Sequence, residues 1–179
     1  MKVALSFYNK QMKTHPVLTK STSCGVIFAL GDILAQQVEN YTSQTKGIDL
    51  KRTFRMSFYG SLYVGPVMHV WYSKILPRFF PGTSLSHVLK KVCIDQTLMV
   101  TFMTSSFYTA QTLLENKTLE NALDKVKHQL WPTLKTNWKV WPAIMALNFT
   151  LVPLDFQVIL VNSVGIIWNA YLSYMQHRH

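Results

Sequence analysis

Charge is scarce in this chain. Lys and Arg number 18 and Asp and Glu only 8 among 179 residues, 15% in all, where soluble domains carry roughly 25%. The shortage does not come with the low apolar content of a disordered chain. Hydrophobic residues make up 49% and aromatics 13%, and the mean hydropathy is +0.11, so there is ample apolar surface to drive folding. Two cysteines exclude a small secreted scaffold stapled by disulfides. No uninterrupted apolar run reaches 18 residues, so the strict rule for a transmembrane helix is not met. Catalytic signatures are missing too. There is no His-Glu-x-x-His, Gly-x-Ser-x-Gly, Gly-x-x-x-x-Gly-Lys or Cys-x-x-Cys. The chain is therefore expected not to be an enzyme and to hold no cofactor and no metal.

The charge that is present sums to +10. A basic excess suits nucleic acid, anionic lipid or the flanks of a membrane protein, and position decides among them. Residues 21–38 contain one charge, Asp32; 56–73 and 96–114 contain none; 140–177 contain only Asp155. A helix of about 20 residues crosses roughly 30 Å of hydrocarbon. The expected fold is therefore all-α, an integral membrane helical bundle of about four spans near 21–38, 56–73, 95–114 and 156–177. The whole chain, 1–179, would be one membrane domain.

The connections carry the rest of the charge. Residues 1–20, with Lys2, Lys10, Lys13 and Lys20, form a basic amphipathic segment that reads either as a mitochondrial type of targeting signal or as an interfacial helix. Residues 115–139 mix both signs around a stripe of Leu119, Leu123, Val126, Leu130 and Leu134, an amphipathic connection bent near Pro132. Residues 140–152, with Pro142 in the first turn and Pro153 just beyond, read as a short membrane-contacting helix, with its crossing left open. With charge spread over so many connections, direct nucleic-acid binding is not expected. Four spans would divide Lys and Arg nine to nine between the two sides, so orientation stays undecided.

Polar residues inside the low-charge blocks are the candidate functional groups. Carboxylates at membrane depth, here Asp32, Asp95 and Asp155, face a partner, water or a headgroup boundary. Thr97, Thr101, Thr104, Tyr108 and Gln111 recur at spacings of four and three, as do Asn162, Gly165, Asn169, Ser173 and Gln176; Asp32 and Gln36 share a face with Gly25. Two readings stand side by side. In one, Asp32, Gln36, Asp95, Thr97, Thr101, Thr104, Tyr108, Gln111, Asn162 and Asn169 line a pore. In the other, such faces pack helices together, the favoured reading for Ser21/Gly25/Ala29 and Ser57/Ser61/Gly65. His69 reads as a packing histidine, and Cys24 and Cys93 as buried inert thiols.

A family resemblance rests on further residues. These are Arg52-Thr53-x-Arg55, Gly60, Gly65-Pro66-x-x-His69-x-Trp71-Tyr72, with Tyr8, Pro16, Thr19, Gly31-Asp32, Gln36 and Asp95-Gln96. In the C-terminal half they are Trp131-Pro132, Asn137-Trp138-x-Val140-Trp141-Pro142, Asn148-Phe149-x-x-Val152-Pro153 and Trp168-Asn169-x-Tyr171-Leu172-Ser173. Together they resemble the peroxisomal twenty-two-kilodalton membrane protein family, which includes the mitochondrial Mpv-seventeen proteins and their yeast stress-response relatives. The chain departs from that pattern at Thr101, where the family has Pro, and at Gln157, where it has Arg. The resemblance implies a channel for small solutes in the mitochondrial inner membrane or the peroxisomal membrane, linked in the mitochondrial members to DNA maintenance and stress metabolism. It implies the lipid bilayer and small solutes as partners, with a homo-oligomer or larger membrane complex. A non-conducting scaffold or assembly protein is the competing expectation.

Overall fold

The computed structural model describes residues 2–43, 47–82, 84–151 and 154–177, with side chains at all of these except 2–5, 7, 9, 43, 85, 88, 146, 148–150 and 154–159. No strand occurs among the described residues, which bears out the all-α expectation. The helices are α1 (Lys2–Thr14), α2 (Pro16–Ser43), α3 (Leu50–Tyr59), α4 (Gly65–Val70), α5 (Leu76–Phe79), α6 (Leu85–Ile94), α7 (Val100–Leu114), α8 (Leu119–Leu151) and α9 (Leu154–His177). Wider π turns at Gly60–Val64 and Trp71–Ile75 fuse α3 to α5 into one rod, and a third at Asp95–Met99 fuses α6 to α7. Pro66 and Pro77 each come just after one of these turns. A π turn loosens the i to i−4 ladder and relieves the clash of a proline ring with the carbonyl four residues back.

Five rods, α2, α3–α5, α6–α7, α8 and α9, run in alternating directions, and α2 packs between α3–α4 and α9. Against α3 and α4 the contact is antiparallel: a Cβ on Gly65 would lie 2.5 Å from Ser21 Cα, and one on Gly60 would lie 2.9 Å from the Cys24 carbonyl oxygen. A Cβ on Gly25 would strike the Ser61 hydroxyl. These glycines and serines thus let two backbones approach closely. Helix α9 runs parallel to α2, since a Cβ on Gly31 would meet Asn169 Cβ at 2.6 Å and one on Gly165 meets Ile27 at 3.8 Å. The widening distance shows the two helices diverging towards the Lys20 end. Helix α8 is antiparallel to both neighbours. Tyr108 of α7 bonds Thr133, while Tyr171 and Trp168 of α9 reach Thr136 and Trp141. One end of the bundle therefore collects Ser43, Arg52, Leu114 and His177, and the other Lys20, His69 and Leu85.

The α7–α8 connection is written into the sequence. Asn116 takes a left-handed φ of 59°, the N–H of Lys117 donates to the Thr112 carbonyl and that of Asn116 to Leu113, a Schellman closure. Thr118 and Asn121 then exchange side chain to backbone hydrogen bonds that start α8. Residues 115–139 and 140–152, read from sequence as separate segments, are joined by one helix, Leu119–Leu151, that contains Pro132 and Pro142. Val126, Leu130 and Leu134 turn inwards, whereas Leu119 and Leu123 remain exposed.

A core of Phe28, Met56, Tyr59, Val64, Phe107, Tyr108, Leu172 and Met175 fills the space between α2, α3, α7 and α9. Large apolar side chains also crowd the outside, among them Phe54, Leu62, Phe102, Leu147 and Ile167, while Asp32, Arg52, Gln111, Asn169 and Gln176 are buried. Such an exterior suits hydrocarbon better than water. One helix among the described residues, over Pro16–Thr42, is long and apolar enough to cross a membrane. Two thiol expectations differ from what is found: Cys24 is only half-buried and Cys93 is exposed. His69 has Lys20 Nζ 3.3 Å from its Nδ1.

Candidate functional site

Asp32 is fully buried at the Arg52 end of the bundle. Its Oδ1 accepts from Arg52 Nε at 2.7 Å and from the Ser173 hydroxyl at 2.6 Å. Its Oδ2 accepts from Gln36 Nε2 and from the Thr53 hydroxyl, each at 2.7 Å. Four donors from α2, α3 and α9 thus saturate one carboxylate, the condition under which a buried charge is tolerated. Arg52 faces two ways. Nε and Nη2 serve Asp32 and Ser173, and the outer fork grips Glu39 through Nη1 at 2.6 Å and Nη2 at 2.9 Å. That bidentate pairing fixes the plane of the guanidinium.

The residues that hold Arg52 are local. Asp49 caps α3, its Oδ1 accepting from the N–H groups of Lys51 at 2.9 Å and Arg52 at 3.1 Å. Gln36 clasps the Asp49 backbone, accepting from its N–H at 2.6 Å and donating to its carbonyl at 3.2 Å. The Arg52 N–H holds the Asp49 carboxyl below its usual range against slight burial, helped by the Lys51 N–H and the charges of Arg55 and Arg52. A polar cavity of about 370 Å³ opens beside this cap, lined by Gln36, Glu39, Asn40, Gly47, Ile48, Asp49 and Arg52.

Beside the same end, Glu115 links α7 to α9. Lys117 Nζ lies 2.7 Å from its Oε2, and His177 Nε2 lies 3.1 Å from Oε1, an ion-pair contact off the line of a hydrogen bond. Gln176 Nε2 donates to Oε1 at 3.2 Å and to the Thr112 hydroxyl at 3.1 Å. Burial pushes the Glu115 carboxyl up, but His177, Lys117 and Gln176 together outweigh it and bring it to about 2.

Asp95 belongs to the opposite end. Its Oδ1 accepts from Trp71 Nε1 at 2.9 Å and from the Tyr72 hydroxyl at 2.8 Å; Gln96 Nε2 lies 3.3 Å from Oδ2. These donors are all neutral, and Asp95 is only half-buried. Gln96 also accepts from Asn137 and Trp138, tying this end to α8. An apolar groove of about 520 Å³ lies alongside, between Pro66–Ile75 and Leu98–Phe102.

The pore-lining candidates fall into distinct places. Asp32, Gln36, Thr104, Tyr108, Gln111 and Asn169 are buried in the bundle. Asp32 and Gln36 touch each other, while Tyr108 bonds Thr133 at 2.6 Å. Thr101 is half-buried, and Thr97 and Asn162 are exposed. The Thr97 and Thr101 hydroxyls donate back to carbonyls of their own helix at Cys93 and Thr97. The side chains of Asp155 and Gln157 lie outside the described residues. Arg52, Glu39, Thr53 and Ser173 complete the Asp32 site without having been singled out as its partners. The signal available for Arg52 was its position in the first turn after an Asp cap, just before the uncharged block 56–73.

An apolar exterior around a saturated internal ion-pair network defines a helical membrane protein. Comparison with known proteins narrows the class. The chain is 37% identical to Protein SYM1 of Saccharomyces cerevisiae, over 97% of this chain and 90% of that one. It is 35% identical to Protein SYM1 of Gibberella zeae, covering 97% and 98%, and 34% identical to PXMP2/4 family protein 2 of Dictyostelium discoideum, covering 98% and 92%. The Mpv17 / PMP22 family description matches residues 112–173, and no solved structure matches the chain. The chain belongs to the Mpv17/PMP22 family, as the sequence resemblance indicated.

Proposed function

We propose that this protein is a membrane channel for small solutes, weakly selective, whose polar lining is folded inwards in the state described. One observation carries the reading. Polar faces of α2, α7 and α9 point into the bundle, and Gln111 Nε2, Asn169 Oδ1 and Gln176 Oε1 are buried without a hydrogen-bond partner among the described residues. Unpaired buried polar atoms of this kind suit a path that holds water. In this state Phe28, Phe107 and Leu172 fill the centre and the Arg52 network holds α2, α3 and α9 together. Conduction then requires α9 to shift against α2. Asp32, Gln36, Thr104, Tyr108, Gln111 and Asn169 would form the lining, with Asp95 at the opposite mouth. We further propose five crossings, because α8 begins at the Arg52 end and α9 begins at the other.

Flux of graded solutes into proteoliposomes tests the channel. Small polar solutes pass and large ones do not, and Asp32→Asn and Asp95→Asn alter conductance or ion preference. Unchanged behaviour in both variants would remove these residues from the lining. The second reading, a non-conducting scaffold, is favoured by the full saturation of Asp32. Absence of flux together with a crosslinkable stable complex would select it. The lysine-rich N-terminus and the yeast relatives support a mitochondrial inner-membrane site with a role in mitochondrial homeostasis and stress metabolism, over the peroxisomal membrane; fractionation of a tagged full chain decides between them.

A further inference from the structure

The outward face of α8 changes chemistry along its length. Glu120 and Asp124 occupy its first two turns beside Leu119 and Leu123, Lys127, Trp131, Lys135, Trp138 and Lys139 its middle, and Pro142, Ala143 and Leu147 come after them; all are exposed. The middle is a built arrangement. Trp138 is pinned by its Nε1 to the Gln96 carbonyl at 3.1 Å, Trp131 meets Trp138 edge-on with ring centroids 5.9 Å apart, and Lys135 Nζ sits 5.3 Å from the Trp131 centroid. Lys135 thereby folds back towards the Arg52 end. Lys127 stands one helical turn to the other side of Trp131, so a lysine precedes and follows this indole along the exposed face. Asp124, the nearest acid along the face, lies 3.3 Å from His128 Nε2.

Acid, then Trp and Lys, then apolar is the order met on passing from water through headgroups into hydrocarbon. Indoles prefer the headgroup level, and lysines bend their ammonium groups towards it. We propose that Lys127, Trp131 and Lys135 form a binding site for the headgroup of an anionic phospholipid, on the outward face of α8 between its acidic first turns and its apolar last turns. The phosphate sits between the two ammonium groups and the glycerol region rests on the Trp131 ring. The proposal rests on α8 entering the bilayer, and it is independent of whether the protein conducts.

Lipid retention by the purified full-length protein in detergent, read by native mass spectrometry and by thermal unfolding, provides the test. Phosphatidylglycerol is expected to bind and to raise the unfolding temperature, whereas phosphatidylcholine and inorganic phosphate do not. Lys127→Gln and Lys135→Gln each weaken retention about 5-fold, and the double variant about 30-fold, the effect of about 1 kcal/mol per lysine near an anionic surface. Both lysines are exposed, so the variants keep the fold, which monodisperse elution verifies. Equal retention by the double variant overturns the site. Equal stabilisation by phosphatidylcholine overturns the charge recognition, and full stabilisation by inorganic phosphate overturns the lipid as its source. Loss of solute flux with lipid retention intact would count against the channel alone.

Discussion

Asp32 and Asp95 occupy opposite ends of one bundle and solve the same problem differently. Asp32 is fully buried, receives four donors and is neutralised by Arg52, which Glu39 holds in turn. Asp95 is half-buried and rests on neutral donors from Trp71, Tyr72 and Gln96. A charge sealed inside the protein needs a countercharge and leaves no room for substitution. One near the edge keeps access to polar surroundings and manages with an indole and a phenol, the side chains favoured at membrane boundaries. The first aspartate ties three helices together, and the second ties two ends of neighbouring rods.

Removing the countercharge is the sharpest way to break the comparison. Arg52→Met leaves Asp32 buried without a cation and is expected to cost about 3–5 kcal/mol, measured as loss of stability in detergent by chemical unfolding. Adding Asp32→Asn to it restores part of the loss, and no recovery would mean that packing at Arg52, not charge, dominates. Next comes Gly31→Val, which forces α9 away from α2 where a Cβ already lies 2.6 Å from Asn169. Overpacking of this kind costs about 1–3 kcal/mol, and it should loosen Ser173 from Asp32 while leaving the Trp71–Asp95 contact intact by tryptophan fluorescence.

At the other end the effect is smaller. Asp95→Asn keeps an acceptor for Trp71 and loses only the charge assistance, about 1 kcal/mol; a loss matching that of Arg52→Met would erase the distinction between the two ends. The last effect is one of pH. Glu115 has its carboxyl lowered in the folded protein to about 2, so its stabilising contribution is present above its ordinary value of 4.5 and is lost as pH falls towards 2. The stability difference between the native chain and Glu115→Gln should therefore shrink as pH falls below 4.5.

Much of this was legible in the residues. The helical class followed from the patterning, and Asp32 stood out as a carboxylate within a low-charge block. Its partner did not, because Arg52 lies 20 residues away across a helix reversal and spacing arguments reach only one or two turns. The small-residue stripes Ser21/Gly25 and Ser57/Ser61/Gly65 do meet, since close approach needs nothing beyond the missing side chains. The threonine stripe was only partly legible. The π turn over Asp95–Met99 adds a residue to that turn and rotates α7 relative to α6, so Thr97 is exposed while Thr104 and Gln111 face inwards. Asn162 shares a face with Asn169 by spacing, yet α9 has diverged from α2 at that level. Two prolines suggested breaks in residues 119–151, and the helix absorbs both, as helices packed in a bundle can.

The positions of its members along the chain set the order in which the Asp32 site can be assembled. Arg52 and Thr53 emerge within 21 residues of Asp32, whereas Ser173 comes 141 residues later. The α2–α3 hairpin therefore carries the countercharge of Asp32 within itself, without any need of α9. The last helix adds a lock on a pair already made: one hydroxyl, which accepts from the arginine and donates to the carboxylate.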